Sequence, residues 1–318
     1  MDSVKACIVE KPAKKAIFLP NCAAIVILLM NGVQMHTRKQ EHWKIENLPW
    51  DSFDAGAVDI ELLKIVKAAS LVEYNASDYA TYLTNVFPSD VEFQEAARHW
   101  AIEETQHGSA LGAWAERADP TFNFKDAFAR YTAGYRINVD ADASIRGSQM
   151  GELIARCIVE TGTSSYYTAL ADAAKEPVLK AICRNIAADE LRHYKLFHDF
   201  LKRYMAAEEL SRLSRLKIGL SRVQESEDDE LAFAYFAANA PQDAVYDRAT
   251  YSSAYLIRAY PLYRPDHVER VVAMVFRACG FTLPDFWRRQ VKRGAYGLMQ
   301  LKIKRAHKFV DAEMRQAA

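Results

Sequence analysis

Glycine and proline are scarce in this chain, at 12 and 10 of 318 residues. Folds built from short strands and tight turns depend on both residues, and no Val/Ile/Thr-rich run here alternates in the two-residue period of a strand. The scarcity therefore argues against a β architecture. A glycine-rich phosphate loop and a G-x-G-x-x-G dinucleotide fingerprint are also missing, so the chain lacks nucleotide sites of those kinds. The five cysteines (Cys7, Cys22, Cys157, Cys183 and Cys279) are odd in number and unclustered. Without a Cys-x-x-Cys they make neither a thiolate metal knuckle nor a dithiol redox motif, and they suit a reduced, cytoplasmic setting. Charge of one sign is lacking too. With 41 basic and 41 acidic residues, the chain has no global attraction for nucleic acid. No apolar run approaches the roughly 20 residues of a membrane span. The run Cys22 to Met30, after Lys14-Lys15, has the flavour of a signal-peptide core, but Pro20-Asn21 interrupts it and no small-x-small cleavage site follows. Residues 1–42 are read as a mobile or loosely docked N-terminal extension.

What the chain has is helix. Half of its residues are apolar, arranged at helical spacing over long stretches. A first helix is expected from about Ala57 to Val86, closed by Phe87-Pro88. Ser89, with Glu92 three residues on, reads as a capping box opening a second helix to about Glu116. A third runs from about Asp142 to Ala174 and hands over through Lys175-Glu176-Pro177 to a fourth ending near Ala206. Two antiparallel hairpins result. The stretch Arg117 to Asp140 between them is long enough to traverse a bundle, with a short helix at Phe124 to Tyr135. One long crossover between two hairpins is the ferritin-like arrangement. Residues 43–207 are thus expected to form an all-α four-helix bundle, and 208–318 additional C-terminal helices packed on it.

Two of these helices carry an acidic pair followed by histidine: Glu103-Glu104-Thr105-Gln106-His107 and Asp189-Glu190-Leu191-Arg192-His193. Glu and His three apart project from one side of a helix and can offer an oxygen and a nitrogen to one ion. A chain with eight histidines yields roughly half a Glu-x-x-His by chance, so a single copy is weak and the doubled form is not. The other two helices each hold an interior glutamate. Glu73 shares its face with Val66, Ala69, Ala76 and Ala80, and Glu160 with Leu153, Cys157, Thr163 and Tyr167. An unpaired buried carboxylate is costly, and a cation is its natural compensation. Four glutamates and two histidines, one Glu from each of two helices and Glu-x-x-His from each of the others, form the donor set of two-metal carboxylate bundles.

The two motifs extend further. Trp100-Ala101-Ile102-Glu103-Glu104-Thr105-Gln106-His107-Gly108 and Ile186-Ala187-Ala188-Asp189-Glu190-Leu191-Arg192-His193 match the second and fourth ligand helices of the soluble acyl-acyl carrier protein desaturases. The chain resembles that family over about residues 60 to 205. The resemblance implies iron ligation by Glu73, Glu104, His107, Glu160, Glu190 and His193, with Glu104 and Glu190 bridging. It also implies Asp189 as the acceptor that holds a ligand histidine, and Thr163, three residues after the third-helix glutamate, facing the oxygen site. Metal-bound imidazole needs its other N–H held, which supports Asp189; Glu103 is read either in the same role for the opposite half or as an ordinary helix-surface residue. Gly162 and the poor helix formers from Thr161 to Ser165 suggest a local bulge there. Alternatively, the Thr163 hydroxyl bonds back to its own helix.

Two iron ions, with manganese suiting the same donors, would make the chain an O2-dependent oxidoreductase. Desaturation of a carrier-bound fatty acyl chain is the leading expectation, with an external electron donor such as a ferredoxin and a homodimer by family analogy. Hydroxylation of another substrate on the same scaffold, and ferroxidase or iron handling, are the alternatives. His198, Cys157, Cys183, Tyr166, Tyr167 and Tyr194 are read as packing or surface residues. The acid-free basic stretch from Phe286 to Val310 fits either an acidic partner or anionic lipid, or an ordinary solvated helix face.

Overall fold

Asp59 starts the first helix by accepting hydrogen bonds from the amides of Glu61 and Leu62, two donors that would otherwise be orphaned. The computed structural model describes residues 42–207, 209–225 and 229–316. The expectation for the N-terminal extension therefore lies outside the described residues, except at His42. From Trp43 onward the chain forms one compact unit, and among the described residues it is all helix and loop.

Among the described residues eleven α-helices follow one another: α1 (Ile60–Tyr74), α2 (Ala76–Val86), α3 (Val91–Ala118), α4 (Phe124–Gly134), α5 (Gln149–Ala173), α6 (Pro177–Ala207), α7 (Arg212–Glu225), α8 (Asp229–Asn239), α9 (Arg248–Ala259), α10 (Pro265–Ala278) and α11 (Asp285–Gln316). The bundle is ferritin-like. α1 and α2 lie against α3, α5 pairs along its length with α6, α3 meets α6, and the connection from 119 to 148 crosses between the two hairpins carrying α4. α8 packs on α1, while α7 and α10 pack on α5, so C-terminal helices cover both hairpins.

Three boundaries depart from expectation. The first helix is interrupted at Asn75, whose backbone (φ −81°, ψ 10°) closes α1 and opens α2. Asn competes for backbone hydrogen bonds and is a poor helix former, so a break there is cheap. The second helix is capped by Asp90 rather than Ser89; its side chain accepts from the amide of Phe93. The third starts at Gln149 behind the cap Ser148, seven residues later than the apolar pattern from Asp142 suggests. In that gap Gly147, at φ +82°, turns the chain, a conformation glycine adopts without steric cost.

Two cores result. One, around Trp114, Tyr131, Tyr167, Leu170 and Ile182, joins the bundle to α8. The other, around Phe87, Phe93, Trp100, Leu153 and Phe197, joins it to α10. Cys157 and Cys183 are buried in these cores as small apolar fillers. A buried polar pin ties α3 to the turn between α5 and α6: Glu176 accepts from the Trp114 indole at 2.7 Å and from the amides of Val178 and Leu179, so it also caps the start of α6.

Candidate metal centre

Helix geometry brings the two Glu-x-x-His segments face to face. On α3, Glu104 and His107 point inward, and on α6, Glu190 and His193 do the same; all four are at most 4% exposed. Glu160 on α5, 1% exposed, and the partly buried Glu73 in the last turn of α1 complete the group. The six fall into two overlapping sets. Glu73, Glu104, His107 and Glu190 converge within 4.8 Å of one another, as do Glu104, Glu160, Glu190 and His193.

Glu104 and Glu190 belong to both sets, and each turns one oxygen to each histidine. Glu104 Oε2 lies 2.9 Å from His107 Nδ1 and its Oε1 lies 3.0 Å from His193 Nδ1. Glu190 Oε1 lies 3.3 Å from His107 Nδ1 and its Oε2 3.8 Å from His193 Nδ1. Each shared carboxylate thus reaches toward both histidines. Both imidazoles therefore present Nδ1 to the centre.

The opposite ring nitrogens are held from outside. His107 Nε2 is 3.0 Å from Asp189 Oδ2, and His193 Nε2 is 2.7 Å from Glu103 Oε2. An imidazole whose Nε2–H donates to a carboxylate has its Nδ1 lone pair free for a cation. The extra acid before each motif glutamate thus serves the histidine of the other motif. Arg192, given no role in the sequence reading, bonds Asp189 Oδ1 at 2.5 Å and Glu103 at 3.3 Å and so links the two outer acids. Trp43 was missed as well. Its indole N–H donates to Asp189 Oδ2 at 2.7 Å, and its ring lies parallel to that of His107 with centroids 6.0 Å apart.

Thr163 bonds back to its own helix and also reaches Glu190. Its hydroxyl lies 2.7 Å from Glu190 Oε2 and 3.2 Å from the carbonyls of Val159 and Glu160. The expected bulge is not there: α5 passes through Thr161 to Ser165 as unbroken α-helix. The hydroxyls of Thr161 and Thr163 bond back to the carbonyls four residues before them, so they are satisfied within the helix. Tyr167, read from sequence as packing, does more. It is 1% exposed, and its phenol donates to Glu73 Oε1 at 2.5 Å. The seven-residue step from Glu160 to Tyr167, which places both on one face of α5, was the available signal. His198 stacks on Tyr194, one turn beyond the site.

Electrostatics show how crowded the centre is. Burial, reinforced by Glu104 and Glu190, pushes the Glu73 carboxyl well up, and burial with Glu190 and Glu104 does the same to Glu160. Glu104 goes the other way. Burial raises it, but the two imidazoles, His193 first, outweigh burial and hold it low. Glu190 is lowered too, against burial and Glu104, by its contacts to His107 and His193. Burial opposes charge on both histidines, yet Glu104 in concert with Asp189 or Glu103 raises them well above their ordinary value. Without a cation these shifts favour protons on Glu73, Glu160 and both histidines. Both oxygens of Glu160, Oε1 of Glu190 and Nδ1 of His193 are buried with no hydrogen-bond partner. Such atoms aimed at a common centre are what a metal site needs and what a packed core avoids. Four carboxylates carry the charge that two divalent ions neutralise, and N/O donors of this kind suit iron or manganese.

Among the described residues no helix is long and apolar enough to cross a membrane. A family model described as fatty acid desaturase matches residues 78–259. That span contains five of the six clustered residues, with Glu73 just ahead of it. No curated protein matches the chain.

Proposed function

The chain belongs to the fatty acid desaturase family, and from that premise we propose that it is an O2-dependent di-iron oxidoreductase that desaturates a carrier-bound fatty acyl chain. The observation that carries this reading is the convergence of Glu73, Glu104, His107, Glu160, Glu190 and His193 into two sets that share Glu104 and Glu190. These six would hold the metal pair. Two irons there would supply what no side chain of the protein can, reduction of O2 to an oxidant able to take hydrogen from an unactivated C–H bond.

The remaining assignments concern the chain's own residues. Asp189 and Glu103 hold the Nε2 protons of His107 and His193 and keep each Nδ1 pointed inward. Thr163 keeps a hydroxyl proton against Glu190 Oε2, within reach of the shared carboxylates. Placing the six donors on four packed helices fixes their geometry more tightly than loops would. Conversion of a CH2–CH2 unit to CH=CH with reduction of O2 to two waters consumes two electrons and two protons beyond those of the substrate. A separate reductant of the ferredoxin class would supply the electrons, since the chain has no dinucleotide fingerprint. The family analogy adds a homodimer.

The test is to load the protein with ferrous iron anaerobically, count metal, then admit O2 with an electron donor and an acyl-carrier-protein substrate and weigh the products. Two irons per chain and a product lighter by two hydrogens are expected. His107→Ala and His193→Ala should each lose iron. A product heavier by one oxygen would move the reaction to hydroxylation, and a chain that takes up no metal would sink the di-iron reading.

A further inference from the structure

The basic stretch singled out from sequence is helix α11, and its side chains sort into two faces. One is anchored. Arg288 and Lys292 both bond Glu269 of α10, at 3.2 and 2.6 Å, and Ala306 is buried, where α11 lies against α9 and α10. The other face is exposed, and it carries Arg289, Arg293, Lys304, Arg305 and Lys308. None of these five has an ion-pair partner among the described residues.

Cations alone would describe an ordinary solvated helix. The same exposed face, however, also carries Phe286, Trp287, Leu298 and Leu301, between 42% and 58% exposed. Large apolar side chains on an outward helix face, interleaved with cations and free of acids from Phe286 to Val310, mark a surface built to be covered. Between Arg293 and Leu298 sit Gly294 and Gly297, where an added Cβ would meet nothing within 4 Å. The middle of the face is therefore low, and the whole is a shallow strip along a helix of 32 residues, ~48 Å long.

We infer that this face of α11 is a docking surface for an anionic phospholipid bilayer, on which the protein lies without spanning it. Charge complementarity selects the partner's sign. The layout selects a bilayer over an acidic protein: a protein interface concentrates its apolar contacts centrally and leaves charge at the rim, whereas here both kinds of residue are distributed along the strip. Trp and Phe settle at the headgroup level while Arg and Lys meet phosphates, each cation adding to the attraction for anionic lipid. The inference is independent of the metal centre, whose residues lie on other helices.

The test uses the full chain in flotation with vesicles of phosphatidylcholine alone or with about a third phosphatidylglycerol. Binding to the anionic vesicles, absent with phosphatidylcholine and reversed by high salt, is expected. The triple variant R293E/K304E/R305E should weaken it by roughly a hundredfold or more, and W287A should weaken it without altering its salt dependence. The control R98E, at an exposed position on α3, should bind as wild type. Gel filtration and helical circular dichroism establish that each variant is folded. No binding to anionic vesicles, equal binding to both vesicle types, or binding that survives in the triple variant through another part of the chain would each overturn the inference. A triple variant that converts a dimer to a monomer would overturn it too, because the face would then be a contact between copies.

Discussion

At the scale of single residues, the two halves of the metal centre are unequal. Glu73 is pinned, its Oε1 receiving the Tyr167 phenol at 2.5 Å, whereas both oxygens of Glu160 lack any hydrogen-bond partner. A ligand whose orientation is fixed by an outer donor binds metal more tightly than one left to find its own position. Tyr167→Phe should therefore lower metal affinity in the Glu73/His107 half by roughly tenfold and leave the Glu160/His193 half unchanged. Cobalt titration followed by its visible bands would resolve this as a wild-type curve with two steps whose tighter step alone weakens. A variant in which both steps shift together, or neither does, would contradict the asymmetry. The same residue shows where sequence reading ran out. Glu104, His107, Glu190 and His193 announce themselves by three-residue spacing, and Glu73 and Glu160 as acids on apolar faces. A tyrosine on such a face looks like packing, and only the approach of α1 to α5 gives its hydroxyl a partner. Trp43 had no chance of discovery, because its bond to Asp189 joins residues 146 apart in sequence.

At the scale of elements, the glycine that ends the first motif has a reason the motif does not state. A Cβ on Gly108 would fall 2.4 Å from the backbone nitrogen and 2.7 Å from the Cα of Tyr74, so α3 touches the backbone of α1 one residue beyond both His107 and Glu73. Backbone cannot swing aside as a long side chain can. Gly108→Ala should force the two helices apart, costing about 1–3 kcal/mol, and should pull Glu73 away from Glu104 and His107. Gly162 is the counter-example. It sits in an intact helix with nothing within 4 Å of an added Cβ, so Gly162→Ala should stabilise by up to about 1 kcal/mol. Thermal melts of the two metal-free variants should move in opposite directions, and similar shifts would show that neither contact is read correctly. Helix periodicity located the hairpins and the crossover helix, although it placed the start of α5 seven residues early. Propensity marked Gly162 as a bulge, and periodicity, silent on interhelical distance, could not distinguish it from Gly108.

At the scale of the whole molecule, the buried centre couples folding, metal and pH. The folded, metal-free protein brings four carboxylates together in its interior, and protons must balance them. Glu73 and Glu160 are raised above their unfolded value, chiefly by burial, and His107 and His193 are raised by Glu104 against burial. For a group raised on folding, the stabilisation is complete below its unfolded pKa and is lost as pH rises through the folded value. These four groups therefore favour the metal-free fold most below their unfolded values and withdraw that support as pH rises through their raised ones. Glu104 and Glu190, lowered on folding, have the opposite sign, with support present above the ordinary carboxylate range and lost only as pH falls through their lowered values. Metal binding must displace the protons on the raised groups, so apparent affinity should climb about tenfold per pH unit for each proton released. Metal stabilises by binding the native state alone. The difference in melting temperature between metal-loaded and chelator-treated protein should consequently widen from about pH 6 to about pH 8. Calorimetry in buffers of different ionisation enthalpy would count the protons released on metal uptake. A melting difference that stays flat across this range, with no protons released, would mean that the cluster is already ionised without metal and that uncompensated carboxylates are tolerated side by side in the core, against the cost such burial carries.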